Sequence, residues 1–101
     1  MAEQQLSAIA ADGATLAVSV QGGGEPLLLI PGLGATRRVF DPLAPALSAR
    51  HRVIRFDPRG VGDSQRGSAT LSMAVLAADA VTVISAASGF GAVDVFGASM
   101  G

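Results

Sequence analysis

The chain contains no cysteine, no tryptophan and no tyrosine, and its seven basic residues are all arginine. Without cysteine, neither a disulfide framework nor a thiolate metal site can form. Four phenylalanines are the only aromatic side chains, so the core must be built from aliphatic residues. The arginines are scattered and opposed by eight acids, leaving a formal net charge of −1. That balance gives no basic stripe and argues against a nucleic-acid partner. A long hydrophobic run is also missing. The nearest approach, "AVLAADAVTVISAA", is interrupted by Asp79 and falls short of the ~20 residues of a membrane span. The start, "MAEQQLSAIAADG", has no basic segment followed by an apolar one. A secretory signal is therefore not expected, and the expectation is a cytoplasmic protein with no membrane partner.

What is present points to a folded domain. Half of the 101 residues are hydrophobic and only 15% are charged, a balance too apolar for a disordered segment. A chain of this length makes at most one small domain, burying roughly 60–70% of the surface its unfolded form exposes. No repeat or linker divides residues 1–101.

"LSAIAADGATLAVSVQ" predicts a hairpin, two apolar-leaning runs about Asp12-Gly13, a favoured turn pair. "GGGE" reads as a flexible turn and not as a phosphate loop, because no lysine follows and Pro26 opens a strand. "PLLLI" is a continuous apolar run, suited to a strand covered on both faces. Asp41-Pro42 has the pattern of an N-cap and first helical residue, predicting a short helix to about Ala49 with Leu43 and Leu47 inward. "HRVIRF" is the next strand, followed by the turn-rich "DPRGVGDSQRGS". A second helix is expected from about Ser72 to Ser88, capped by Thr70 and ended by Gly89. Met73, Leu76, Ala80, Val83, Ile84 and Ala87 form its apolar face, with Asp79 and Thr82 on the other side. "AVDVF" is a last strand. Strands alternating with helices predict an α/β fold, an antiparallel opening hairpin followed by parallel strands with flanking helices.

The chemistry gathers at the end of that last strand, in Gly97-Ala98-Ser99-Met100-Gly101. Gly-x-Ser-x-Gly on a strand-to-helix corner has a mechanical logic. The glycines clear the crowded corner, the serine hydroxyl projects above the sheet, and the next N–H points at the same spot. Three ordered stretches, "LLLIPGLG", "VIRFDPRGVGDS" and "VDVFGASMG", together resemble the N-terminal part of an α/β-hydrolase, in its serine esterase and enol-lactonase-like branch. The resemblance runs from the opening hairpin to the serine corner, so residues 1–101 are expected to form a partial domain of that fold, truncated at the nucleophile elbow.

The resemblance implies that Ser99 is the nucleophile. It implies oxyanion-hole donors from the backbone N–H groups of Met100 and of Leu33, after Gly32, each typically worth about 3–4 kcal/mol in the transition state. Members of the family often carry histidine before the glycine and before the serine, where this chain has Pro31 and Ala98. Asp57, Arg59, Gly60, Gly62 and Ser64 match an Asp-x-Arg-Gly-x-Gly-x-Ser loop. The favoured reading is that they brace the loop and the elbow, with contact between Asp57 or Arg59 and substrate as the alternative. Arg37, Arg38 and Arg66 read as solvated surface. No cofactor or metal is implied.

A serine hydroxyl needs a base, and His51 is the single histidine. It opens the "HRVIRF" strand, so ~20 Å of strand separates it from the carboxyl edge where Ser99 is expected. Asp79 and Asp94 are equally poor candidates for the acid. The resemblance puts the acid and the histidine after the serine in chain order, beyond Gly101. The polypeptide is then an inactive fragment of a hydrolase of esters, lactones or related acyl substrates, and its uncovered sheet edge invites self-association. Carbon–carbon hydrolysis and perhydrolysis are further options within the resemblance; a serine in place of aspartate disfavours the dehalogenase and epoxide-hydrolase branches. One rival is a dinucleotide-binding segment resembling a short-chain dehydrogenase, which leaves "PGLG" and "DPRGVGDS" without a role. Another is a non-catalytic remnant that pairs with a partner chain.

Overall fold

The computed structural model describes residues 3–32, 34–88 and 93–97. Five strands form one mixed sheet in the order β1-β2-β4-β3-β5. They are β1 (Gln4–Ile9), β2 (Thr15–Gln21), β3 (Glu25–Ile30), β4 (His51–Phe56) and β5 (Asp94–Gly97). β1 pairs antiparallel with β2, and β2 with β4. β3 runs parallel to both β4 and β5. An antiparallel opening followed by parallel strands is the arrangement anticipated from the sequence.

The opening hairpin closes because Gly13 adopts φ 88° and its N–H donates to the Ala10 carbonyl. Beyond β2, the glycines of "GGGE" are more than a flexible turn. A Cβ on Gly22 would sit 2.5 Å from the His51 carbonyl oxygen, and one on Gly24 the same distance from that of Arg50. Both have positive φ, and both let β2 and β3 pass close against the turn that enters β4.

β3 is buried on both faces, as its unbroken apolar run requires. Leu28 belongs to a cluster with Val18, Ile54, Phe56, Val83 and Ala87, beneath the long helix α2 (Met73–Ser88). Leu29 faces the other way, into a smaller cluster with Phe40, Ala44 and Val53. The sheet thus lies between α2 on one face and the short β3–β4 connection on the other.

That connection differs from the helix expected over residues 41–49. A 3₁₀ turn spans Arg37–Phe40, and the helix α1 that follows is only Ala44–Leu47. Thr36 caps the turn, its hydroxyl accepting the Arg38 N–H. Asp41 ends this turn instead of opening the next helix, and Leu43 takes the N-cap position of α1. The later start leaves Pro45 in the first turn, where its missing N–H removes no bond. Leu43 is exposed as a result, and Phe40 and Ala44 point inward in its place.

α2 matches its expected span, with three corrections. Ser72, not Thr70, supplies the cap: its hydroxyl accepts the Val75 N–H at 3.1 Å and its carbonyl the Leu76 N–H at 3.0 Å. Val83 and Ala87 are buried and Leu76, Ala80 and Ile84 half-buried, but Met73 is 79% exposed because the first turn projects past the sheet. Asp79, assigned above to the solvent side, is 3% exposed. The expected stop at Gly89 lies outside the described residues.

Candidate active site

Parallel strands collect functional residues at their carboxyl ends. The register brings Ile30 of β3 beside Gly97 of β5, and Leu29 beside Arg55 of β4. Pro31 and Gly32, Asp57 and Pro58, and Gly97, the first residue of the Gly-x-Ser-x-Gly sequence, therefore stand at one edge of the sheet. Ser99, Met100, Gly101 and Leu33 lie outside the described residues. Gly32 is buried, and its carbonyl accepts the Ala35 N–H at 2.9 Å, folding the loop back on itself.

Asp57 is the hub of this edge and is 1% exposed. One carboxylate oxygen accepts the Arg37 N–H at 2.8 Å. The other accepts the Asp63 N–H at 2.9 Å and the Arg37 guanidinium. The Asp57 carbonyl accepts the Ser64 hydroxyl at 2.6 Å, and that hydroxyl in turn accepts the Ala17 N–H of β2 at 2.9 Å. Gly62 packs directly on this carboxylate, with φ 56°; a Cβ there would collide with the second carboxylate oxygen. Burial works to raise the Asp57 pKa, but the two N–H donors and the Arg37 guanidinium outweigh it and hold the group below the ordinary carboxylate value. Arg37, expected in solvent, is accordingly only 11% exposed and also donates from Nε to the Ser19 hydroxyl at 2.8 Å. Arg38 and Arg66 are exposed.

Arg59 makes the second network, and its side chain is 2% exposed. Nε and Nη2 grip both oxygens of Asp79 at 2.7 and 2.8 Å. Nη1 reaches Asp12 at 2.7 Å and the Arg66 carbonyl at 3.2 Å. Asp12 further accepts the N–H groups of Ala14, Ser68 and Ala69. The Asp79 and Asp12 carboxylates raise the Arg59 pKa against the opposing effect of burial. Asp12 is held far below its ordinary value, first by Arg59 and then by the backbone donors. Gly60, at φ 76°, donates to the Gln65 carbonyl at 3.0 Å and closes the loop between the networks. Together they fasten residues 57–69 to the hairpin turn, to β2 and to α2. All three nitrogens of Arg59 and both oxygens of Asp57 are engaged within the protein.

A cavity of about 560 Å³ opens between α2 and the carboxyl ends of β3 and β4. Its lining is mostly apolar, including Ile30, Phe56, Leu71, Met73 and Leu76, with the Arg59–Asp79 pair in its wall. Sequence reasoning did not anticipate this cavity. Its only local signal was the apolar Leu71 and Met73 at the helix start.

His51 stands at the opposite edge. It is the first residue of β4 and pairs with Glu25, the first of β3. Its Nδ1 is buried and has no hydrogen-bond partner among the described residues. Among the described residues, no group of three or more histidine, aspartate or glutamate side chains is placed to hold a metal ion.

A family model described as alpha/beta hydrolase fold matches residues 25–101. A protein of Azorhizobium caulinodans named as a carbamate hydrolase, RutD, is 38% identical over 74 residues, covering 73% of this chain and 28% of that protein. The solved structure of a hydrolase from Pseudomonas aeruginosa PA01 superposes with a TM-score of 0.86 at 31% identity, covering 97% of this chain and 37% of that one. Another structure from Pseudomonas aeruginosa, described as an epoxide hydrolase, gives a TM-score of 0.83 at 33% identity, covering 94% of this chain and 32% of that one. The chain therefore spans between 28% and 37% of the length of these relatives.

Proposed function

The chain belongs to the alpha/beta hydrolase fold family, and from that premise we propose that it carries the nucleophile half of a serine hydrolase acting on carboxylic esters, lactones or related acyl compounds. The observation that carries this reading is the register of β3 and β5. Ile30 lies beside Gly97, and Gly32 and Ser99 each follow two residues further in the sequence. That spacing suits a hydroxyl and a backbone oxyanion donor directed at one carbonyl.

In this reading the Ser99 hydroxyl oxygen bonds to the acyl carbon, and its proton passes to a histidine. The N–H groups of Leu33 and Met100 hold the developing oxyanion. The leaving alcohol departs with the proton, and water then hydrolyses the acyl-enzyme. His51 is at the wrong edge to be that base, so the base and its orienting acid come from outside these 101 residues. Asp57 and Arg59 support the edge and do not bind substrate, since the protein itself occupies their polar atoms.

The name of the Azorhizobium relative makes carbamates one acyl class to include, because their carbonyl passes through the same tetrahedral geometry. The epoxide-hydrolase neighbour suggests a second reading. Ring opening through a covalent ester needs a carboxylate nucleophile, and position 99 is serine. A panel of nitrophenyl esters, lactones, carbamates and epoxides, assayed with the longest polypeptide carrying these residues, separates the two. Acyl hydrolysis that falls by about 10⁴–10⁶-fold in Ser99→Ala is expected. Epoxide opening that survives Ser99→Ala would overturn the proposal.

A further inference from the structure

Asp12 and Gly13 form the turn of the opening hairpin, and Asp-Gly is the aspartyl bond most open to rearrangement. The amide nitrogen after an aspartate can attack the side-chain carboxyl carbon, and a glycine there has no side chain to hinder the approach. The pair occurs once in this chain, which has no asparagine, so deamidation supplies no competing route to the same product. Here the turn is built against the reaction from both ends. The Gly13 N–H is engaged by the Ala10 carbonyl at 2.9 Å. The Asp12 carboxylate accepts from Arg59 Nη1 at 2.7 Å, from the Ser68 and Ala69 N–H groups at 2.9 Å each, and from the Ala14 N–H at 3.1 Å. Gly67, at φ 69°, presses against the same carboxylate; a Cβ there would collide with it. Those donors also keep the group ionised, and an ionised carboxylate has no hydroxyl to expel. Gly13 itself is exposed, with nothing within 4 Å of where a side chain would begin. Solvent reaches the turn freely.

We propose that Asp12-Gly13 is a latent isoaspartate site, held shut by Arg59 and opened when the Arg59–Asp12 pair separates. Separation frees the carboxyl group to protonate and to swing toward the Gly13 nitrogen. That nitrogen bonds to the side-chain carbonyl carbon of Asp12, the carboxyl hydroxyl leaves with the amide proton as water, and a cyclic succinimide results. Water then adds to the ring. Addition at the side-chain carbonyl restores aspartate. Addition at the main-chain carbonyl breaks that carbon's bond to the Gly13 nitrogen, so the chain runs through the side chain with no net change in mass. The product has one more methylene in the turn and carries its free carboxylate on the α-carbon. The bond from the Ala10 N–H to the Ala14 carbonyl no longer fits, and the carboxylate is withdrawn from Arg59, Ser68 and Ala69. Residues 57–69 thereby lose their tie to the hairpin turn. Asp79 sets how firmly the site is shut, because it grips Nε and Nη2 of Arg59 and so aims Nη1 at Asp12. None of these contacts involves β5 or the residues after it. The inference does not depend on Ser99 being a nucleophile, so the two ideas fail separately.

Storage at neutral pH and physiological temperature, followed by tryptic mapping, tests this. Arg37 is the first site for trypsin, and Asp12 is the only aspartate before it. The isomeric peptide therefore separates by retention at equal mass, and enzymatic methylation counts its isoaspartate. The folded protein should form isoaspartate at Asp12 at least about tenfold more slowly than the same chain in urea. Folded Arg59→Met should form it about 10–100-fold faster than the unaltered protein, the range set by loss of a hydrogen bond to a charged group. Asp79→Asn, which loosens Arg59 without touching Asp12, should fall between the two. Ser72→Ala weakens α2 through its cap but touches neither group, and should keep the unaltered rate. Circular dichroism verifies that each variant is folded. Equal rates in the folded protein and in urea, a folded Arg59→Met no faster than the unaltered protein, or a Ser72→Ala as fast as Arg59→Met would overturn the proposal. The comparison with urea needs no variant, so a misfolded substitution leaves the test intact.

Discussion

At the residue scale, the candidate active edge rests on two buried carboxylate–arginine networks. Such a pair contributes modestly when whole, because desolvation offsets its attraction, but breaking it strands a charge. Asp79→Ala leaves the 2%-exposed Arg59 guanidinium with Asp12 as its one carboxylate partner among the described residues. Urea denaturation should show a loss of about 3–5 kcal/mol, and the double variant Arg59→Met, Asp79→Leu should lose less. The same networks set the acid limit. Asp12 and Asp57 have folded-state values below the ordinary 3.8. Their contribution is complete above that value and is lost as pH falls through the depressed folded-state values. Denaturation midpoints should therefore hold level down to about pH 4 and then fall. Asp57→Asn, with a single acceptor oxygen facing three donors, should lower stability at neutral pH and flatten part of that acid slope. These networks were hard to read from sequence. Arg59 and Asp79 are 20 residues apart, and Arg37 and Asp57 likewise; helical periodicity knows nothing of a partner so distant. It therefore assigns Asp79 to solvent.

At the element scale, what was legible followed from strictly local signals. The unbroken "PLLLI" announced a strand covered on both faces, and Asp12-Gly13 announced the hairpin turn. The β3–β4 connection was misread because Pro42 and Pro45 both suit a first helical turn. Tertiary anchoring decided between them: Arg37 is tied to Asp57, and Phe40 is buried against Leu29 and Val53. Local choice also blurred the cap of α2, where Thr70 and Ser72 are both suitable residues. The observed cap bond from Val75 to the Ser72 hydroxyl predicts that Ser72→Ala costs about 0.5–2 kcal/mol. Thr70→Ala should be close to neutral in the same thermal-melt comparison.

At the scale of the whole molecule, the order β1-β2-β4-β3-β5 turns scattered motifs into one edge. "PGLG", "DPRGVGDS" and "GASMG" lie far apart in the chain, yet the strands they follow in sequence, β3, β4 and β5, are adjacent and parallel. The sequence carried the motifs and the elements; only pairing could show that Ile30 and Gly97 are neighbours. It also sets His51 and Gly97 at opposite ends of the parallel strands, and on the proposed function activation of Ser99 then depends on residues outside these 101. The most direct test of that account is intact-mass analysis after exposure to a fluorophosphonate. The longest polypeptide carrying these residues should gain one adduct, lost in Ser99→Ala, whereas the isolated 101-residue chain should gain none. A stoichiometric Ser99 adduct on the isolated chain, or an adduct on the longer one that persists in Ser99→Ala, would contradict it.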